Sequence, residues 1–225
     1  MSRPQERRRA PVVGWIGRRG SGKTDSLRSC VWAWLREFPR QVRFLIWDHT
    51  DEWGFVEGNP DAFVFSSRTT TLEEVCQMAI ELEDVTVVAD EVDHEVDSHS
   101  GLIRGSALHT VVNYGRHHGV GMAWACRRLA MTPHGILAAS SCLFLFNQHD
   151  PHDLRITRRH VGEALAGSGK EWTDPATGKK FPSEPGTIPM LGVGEFLFWD
   201  ASNPRAGLEG VAVKIEGRQK RLFSS

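Results

Sequence analysis

From Pro11 onward the chain alternates two kinds of segment. Short apolar runs rich in β-branched and aromatic residues occupy 12–16, 42–47, 85–89, 120–126 and 142–146. They are short and apolar at nearly every position, so they read as strands buried on both faces. Longer stretches at 23–38, 71–82, roughly 105–117 and 153–165 predict helices between them. The last of these starts in the favourable context that Pro151 provides. Strand alternating with helix predicts an α/β fold, a mostly parallel central sheet flanked by helices. A shorter run at 62–65 predicts an edge strand.

The pattern changes near residue 167. Segments 171–173 and 179–181 flank a turn of Pro, Asp and Gly and predict a hairpin, and 195–199 and 210–215 predict further strands. The expected organisation is a flexible basic arm at 1–10, a core at 11–166, and a small β-rich C-terminal appendage at 167–225 packed on that core. The arm holds Arg3, Arg7, Arg8 and Arg9, either as a solvated tail or as a phosphate- or partner-binding arm.

Composition narrows the picture. A chain of 225 residues with 40% hydrophobic content suits one compact domain with small additions. The 27 basic and 28 acidic residues nearly cancel, so any contact with nucleic acid must come from local clusters or from a ring of subunits. Cys30, Cys76, Cys126 and Cys142 are far apart and form no metal or disulfide spacing, which predicts reduced thiols in a cytosolic compartment. No apolar run approaches the ~18–20 residues of a membrane span, and the basic N-terminus lacks the apolar core of a signal peptide. A soluble protein is expected.

The strongest chemical signal is GRRGSGKT at 17–24, placed between a predicted strand and a predicted helix as a phosphate-binding loop requires. Gly17, Gly20 and Gly22 permit the tight turn, so the backbone of Gly17, Arg18, Arg19, Gly20, Ser21 and Gly22 can aim N–H groups at phosphate oxygens. Lys23 would reach the β- and γ-phosphates of ATP, and the Thr24 hydroxyl would ligate Mg2+.

The run VTVVADE at 85–91 places two acids at the tip of a buried strand. Asp90 is the expected second magnesium ligand, and Glu91 the general base that polarises the attacking water. The neighbouring Asp93, Glu95 and Asp97 read as a solvated acidic loop. Arg116 is the first candidate for a cation aimed at the γ-phosphate from a neighbouring subunit, and Arg104 the second; Arg127 or Arg128 could sense that phosphate within one subunit. Ten histidines show no recognisable zinc spacing. Trp15, Trp32, Trp34, Trp47 and Trp124 are expected in the core, whereas Trp53 and Trp172 fall in loops.

The order of these pieces resembles the FtsK/HerA superfamily of DNA-translocating ATPases, and within it the genome-packaging ATPases of tailless icosahedral DNA viruses with an internal membrane. The matching segments are GRRGSGKT at 17–24, LIWDHTDEWG at 45–54, VVADE at 87–91, GRHHGVGMAWACRR at 115–128 and GEFLFWD at 194–200. Asp48 and Glu52-Trp53 stand where the family has an acid and then a Glu-aromatic pair. Arg127 is a departure, since the family usually carries Gln there.

The resemblance implies a RecA-like P-loop NTPase fold of the ASCE group. It also implies a homo-oligomeric, hexameric ring, double-stranded DNA as the driven partner, viral capsid or portal vertex proteins as docking partners, and residence in the host cytoplasm or the virion. DNA-contact candidates are Arg68, Arg104, Lys179 and Lys180. A cellular or plasmid DNA pump of the same superfamily is the near alternative. A P-loop kinase would ordinarily lack the acid after Asp90. A non-catalytic assembly factor would bind ATP without releasing phosphate.

Overall fold

The central strand β1 (Val12–Ile16) is apolar on both faces because it has a neighbour on each side and a helical layer above and below. The computed structural model describes residues 10–96, 102–162, 166–167, 170, 172–173, 178, 180–181, 188–201 and 213–214. The arm at 1–9 and Asp97 lie outside them, as do parts of the predicted hairpin.

After β1 the described elements run α1 (Lys23–Glu37), β2 (Phe44–Asp48), β3 (Ala62–Ser66), α2 (Leu72–Leu82), β4 (Thr86–Ala89), α3 (Ala107–Tyr114), β5 (Gly121–Cys126), α4 (His134–Ala139), β6 (Cys142–Phe146) and α5 (Pro151–Val161). β7 (Trp172–Thr173) pairs with β8 (Lys180–Phe181), while β9 (Glu195–Asp200) and β10 (Val213–Lys214) complete the main sheet. That sheet has eight strands in the order β10-β9-β6-β1-β5-β4-β2-β3. The six from β6 to β3 are parallel, and β9 and β10 continue the β6 edge antiparallel.

Alternation along each strand divides the core in two. Phe44 and Ile46 of β2 pack with Leu27, Val31 and Leu35 of α1 on one face. Leu45 and Trp47 pack on the other with residues of α2, α3, α4 and α5. Three tryptophans are buried there with their indole N–H groups satisfied, as burial of a polar tip demands: Trp15 donates to Ser26, Trp47 to the Thr70 carbonyl, and Trp124 to Ser140.

Two expectations for tryptophan are corrected. Trp34 is 45% exposed, because one helical step from Leu35 turns it off the buried stripe. Trp53 is fully buried, drawn in by the turn that Asp48 organises. The six-residue α4 escaped the sequence pattern because it is too short to show a helical period.

α2, α3 and α5 each start on a side-chain cap: Thr71 in a capping box with Glu74, Ser106 on the His109 N–H, and Asp150 on the His152 and Asp153 N–H groups. α1 starts on Gly22, in the left-handed region at φ 93°, with no side-chain cap. Its first amide donors are therefore free to meet a ligand.

Gly14 is mid-strand for a packing reason. A Cβ there would sit 2.6 Å from the Trp124 ring and 2.9 Å from Leu143. Gly14→Ala should destabilise the fold by about 1–3 kcal/mol, the usual cost of overpacking. Urea unfolding should show a lower midpoint with an unchanged slope.

Candidate nucleotide site

β1 and β4 are separated by β5 alone, and the loop after β1 faces the tip of β4 at the carboxyl end of the sheet. The loop is held from both sides. Gly17 N–H donates to the Cys126 carbonyl at 3.2 Å and Arg18 N–H to the Asn147 carbonyl at 3.0 Å. Gly17 is constrained by close approach, since a Cβ would lie 2.5 Å from Phe146. Arg18, Arg19 and Gly20 form the exposed crest, whereas Ser21 and Lys23 are buried.

Thr24 Oγ1 donates to Asp90 Oδ1 at 3.3 Å, and Lys23 Nζ lies 3.8 Å from Glu91 Oε1. The residues expected from the loop and from the acidic tip are thus brought together. Asp90 is fully buried, and its Oδ2 has no hydrogen-bond partner among the described residues. Burial pushes its pKa up to about 6; the Lys23 ammonium opposes that rise and the Glu91 carboxylate adds to it. Glu91 takes the left-handed backbone conformation at φ 58° and ψ 50°, which costs a residue with a Cβ about 1–2 kcal/mol. Such strain at a strand tip is a common mark of function.

Three cations surround or can surround Glu91. Besides Lys23, Arg127 Nε lies 3.5 Å away and His94 Nε2 3.4 Å away. His94 stacks on His49 at 4.3 Å and also meets the Arg127 guanidinium. Burial, followed by the Arg127 charge, lowers the pKa of His94, so the neutral ring is favoured and can accept from Arg127. His49, Glu91 and His94 could bring ligand atoms within 4.8 Å of one another, but the guanidinium already occupies that side of His94.

Asp93 corrects an expectation. Its carboxylate is 3% exposed and accepts the Arg127 and Arg128 N–H groups at 3.2 and 3.3 Å. It ties the tip of β5 to the turn after β4 instead of sitting in solvent. No local pattern marked it, because its partners lie 34 and 35 positions away.

The arginines separate by position. Arg127 lines the cleft beside Glu91. Arg128 is turned away to Asp153 and Asp150, at 2.9 and 3.0 Å. Arg116 is exposed in the turn before β5, where the His118 carbonyl accepts the Asp84 N–H. That is the amino end of β4 and β5, opposite the loop of its own subunit. Arg104 is exposed just before α3, whose first amides are held by Glu73 near the start of α2, at the carboxyl end. Asp48 organises the β2 tip by accepting the N–H groups of Thr50, Glu52 and Trp53. Arg68, a DNA-contact candidate, pairs with Asp51 at 2.6 Å.

The resulting cleft, of about 670 Å³, is lined by Lys23, Thr24, Glu52, Glu91 and Arg127 among others. A polyphosphate with a divalent cation fits these residues: the α1 amides are uncapped, and Ser21 Oγ and Asp90 Oδ2 are buried without partners among the described residues.

Strand order, loop and acidic tip define a RecA-like P-loop ATPase fold. Solved structures agree. The genome packaging NTPase B204 from Sulfolobus turreted icosahedral virus 2, in complex with AMPPCP, matches with TM-score 0.65 at 15% identity, over 86% of this chain and 94% of that one. Its complex with ATP-gammaS gives 0.64 at 15% identity, over 87% and 94%. EssC (ATPases 2 and 3) from Geobacillus thermodenitrificans gives 0.58 at 12% identity, over 85% of this chain and 38% of that one. In fold, the chain therefore resembles these viral packaging and EssC-type ATPases. No protein-family model matches the chain, and no curated protein matches it in sequence. Among the described residues no helix is long and apolar enough to cross a membrane.

The Asp90 shift has a testable sign. The folded chain holds this proton up to a pH of about 6, the unfolded chain only to 3.8. The charge is thus unfelt below pH ~4 and costs most above pH ~6. Relative to Asp90→Asn, the wild-type chain alone should lose up to about 3 kcal/mol of stability as pH rises across that window. Urea unfolding of both at pH 4 and pH 8 measures it, and equal pH dependence would contradict the assignment.

Proposed function

We propose that this protein is an ATP hydrolase that drives double-stranded DNA, packaging a viral genome into a preformed capsid. The observation that carries the catalytic part is the convergence of Lys23, Thr24, Asp90 and Glu91 on one cleft. The likeness in fold to B204, a genome packaging NTPase, supports the DNA part over a kinase or an assembly factor. A cellular or plasmid DNA pump would use the same site and differ in biological context.

The chemistry follows from the residues. The Gly17, Arg18 and Ser21 amides are committed to the Cys126, Asn147 and Arg18 carbonyls and shape the loop, so the amides of Arg19, Gly20 and Gly22 and of the first turn of α1 cradle the phosphates, and Lys23 moves onto the β- and γ-oxygens. Bound magnesium, for which Thr24 and Asp90 are the fitting ligands, would neutralise charge between those oxygens. Lys23 now lies against Glu91 at 3.8 Å. The same ammonium cannot serve both partners fully, so phosphate binding loosens its hold on the carboxylate. Glu91 is then available to accept a proton from the water that attacks the γ-phosphorus, giving ADP and phosphate. Arg127 keeps the carboxylate aligned meanwhile.

Arg116 stands at the far end of its own subunit, so its proposed catalytic part requires a neighbouring copy in a ring, expected to be hexameric. Arg104, exposed at the carboxyl end of the sheet, is the second candidate for that part. DNA would meet Arg68, Arg104, Lys179 and Lys180 on the channel side, and capsid or portal vertex proteins would dock the ring in the infected host cytoplasm or in the virion.

ATP turnover measured with and without duplex DNA, alongside particle mass, tests the proposal. DNA should raise turnover of an oligomer. Lys23→Ala should abolish nucleotide binding, and Glu91→Gln should leave binding intact while lowering kcat by on the order of 10²–10⁴-fold. Binding without phosphate release in the wild type would favour the assembly factor.

For the finger, Arg116→Ala should be inactive alone, yet regain turnover when mixed with Glu91→Gln subunits, because each supplies what the other lacks. Rescue by Arg104→Ala in place of Arg116→Ala would move the role to Arg104.

A further inference from the structure

We propose that the turn at 189–193 is the nucleobase ledge of this site, with Met190 and Val193 covering one face of the ring of a nucleoside triphosphate. The inference rests on the nucleotide reading above and extends it to the other end of the ligand.

Met190 is 74% exposed and Val193 73%, the most exposed of the large apolar side chains among the described residues. They are also held rigidly. Asn147 Nδ2 donates to the carbonyls of Pro189 and Leu191, at 3.1 and 2.5 Å. Gly192 N–H donates to the Glu195 carboxylate at 2.8 Å, closing the turn on itself. Ile188 and Leu191 are buried anchors. A segment pinned through its backbone, with two apolar side chains left in water, is unusual unless something covers them.

The position says what. Gly194 N–H donates to the Ser21 carbonyl at 2.9 Å, and a Cβ on Gly22 would come within 3.1 Å of Gly194. The turn is therefore built directly onto the phosphate loop, on the side of β6 and β9. Glu91, His94 and Arg127 stand on the opposite side, at the tips of β4 and β5. The turn thus sets an apolar surface beside the phosphate loop, across it from the charged groups. A nucleoside triphosphate has the same polarity: anionic phosphates at one end and a flat, largely apolar ring at the other.

The side chains at 188–193 are Ile, Pro, Met, Leu, Gly and Val, none with a strong hydrogen-bonding group. The ledge therefore grips by stacking and by contact of the Met190 thioether with the ring, not by reading the base edge.

The experiment compares ATP with inorganic tripolyphosphate, which carries the charge without the base, by calorimetric titration of the wild-type protein and of a Met190→Ser, Val193→Ser double variant. Both side chains are exposed, so the variant should fold, and its unfolding midpoint checks this. The wild type should bind ATP more tightly than tripolyphosphate. The variant should bind ATP about tenfold more weakly and tripolyphosphate unchanged. Met190→Phe, which restores a flat apolar surface, should keep ATP affinity.

Unchanged ATP affinity in the double variant, or equal losses for both ligands, overturns the ledge while the phosphate cradle stands. A loss that accompanies dissociation of the oligomer by native mass spectrometry reassigns the turn to a contact between copies and overturns it too. A wild-type protein that binds neither ligand removes the nucleotide reading, and the ledge with it.

Discussion

The meeting of Thr24 with Asp90 is the contact on which the site depends. The two residues come from different crossovers and touch only because β5 lies between β1 and β4. One intervening strand sets the tips of β1 and β4 roughly 10 Å apart, near enough for the Thr24 hydroxyl at the start of α1 to meet the Asp90 carboxylate at 3.3 Å. Had β4 paired directly with β1, the gap would be too narrow for a phosphate and a cation. Two strands further away, the acids could not share that ligand.

That arrangement has an electrostatic consequence. Asp90 is buried with one oxygen unsatisfied among the described residues, and Glu91 occupies strained backbone beside it. Both features weigh against the stability of the protein alone, and the divalent cation proposed for this site would satisfy the free Asp90 oxygen. The resting site compensates in part by placing Lys23 and Arg127 on Glu91. On the proposed mechanism binding and catalysis compete for one ammonium, which would couple arrival of substrate to release of the base. Asp93 supports the arrangement by tethering the Arg127 backbone, so the cation at the tip of β5 is held by an acid from the turn after β4.

The antiparallel strand β9 adds a second constraint. By extending the sheet beyond β6 it delivers the 188–194 segment onto the loop, where Gly194 meets Ser21. The loop is thus flanked from opposite directions along the sheet: by acids and cations from β4 and β5, and by the apolar approach to β9.

Local chemistry made much of this legible. Glycines spaced for a phosphate turn, a lysine and threonine opening a helix, and two acids ending an apolar strand each carry their meaning within a few residues, since backbone turn geometry and strand burial are short-range properties. So do the parallel core strands, whose unbroken apolar runs require cover on both faces. Distance in sequence hid the rest. The burial of Asp93, the turning of Arg128 toward Asp153, and the placing of Arg116 at the far end from the loop all depend on partners brought near by the order of strands. A side chain's type states which interactions it can make, whereas tertiary packing alone determines which partner is within reach.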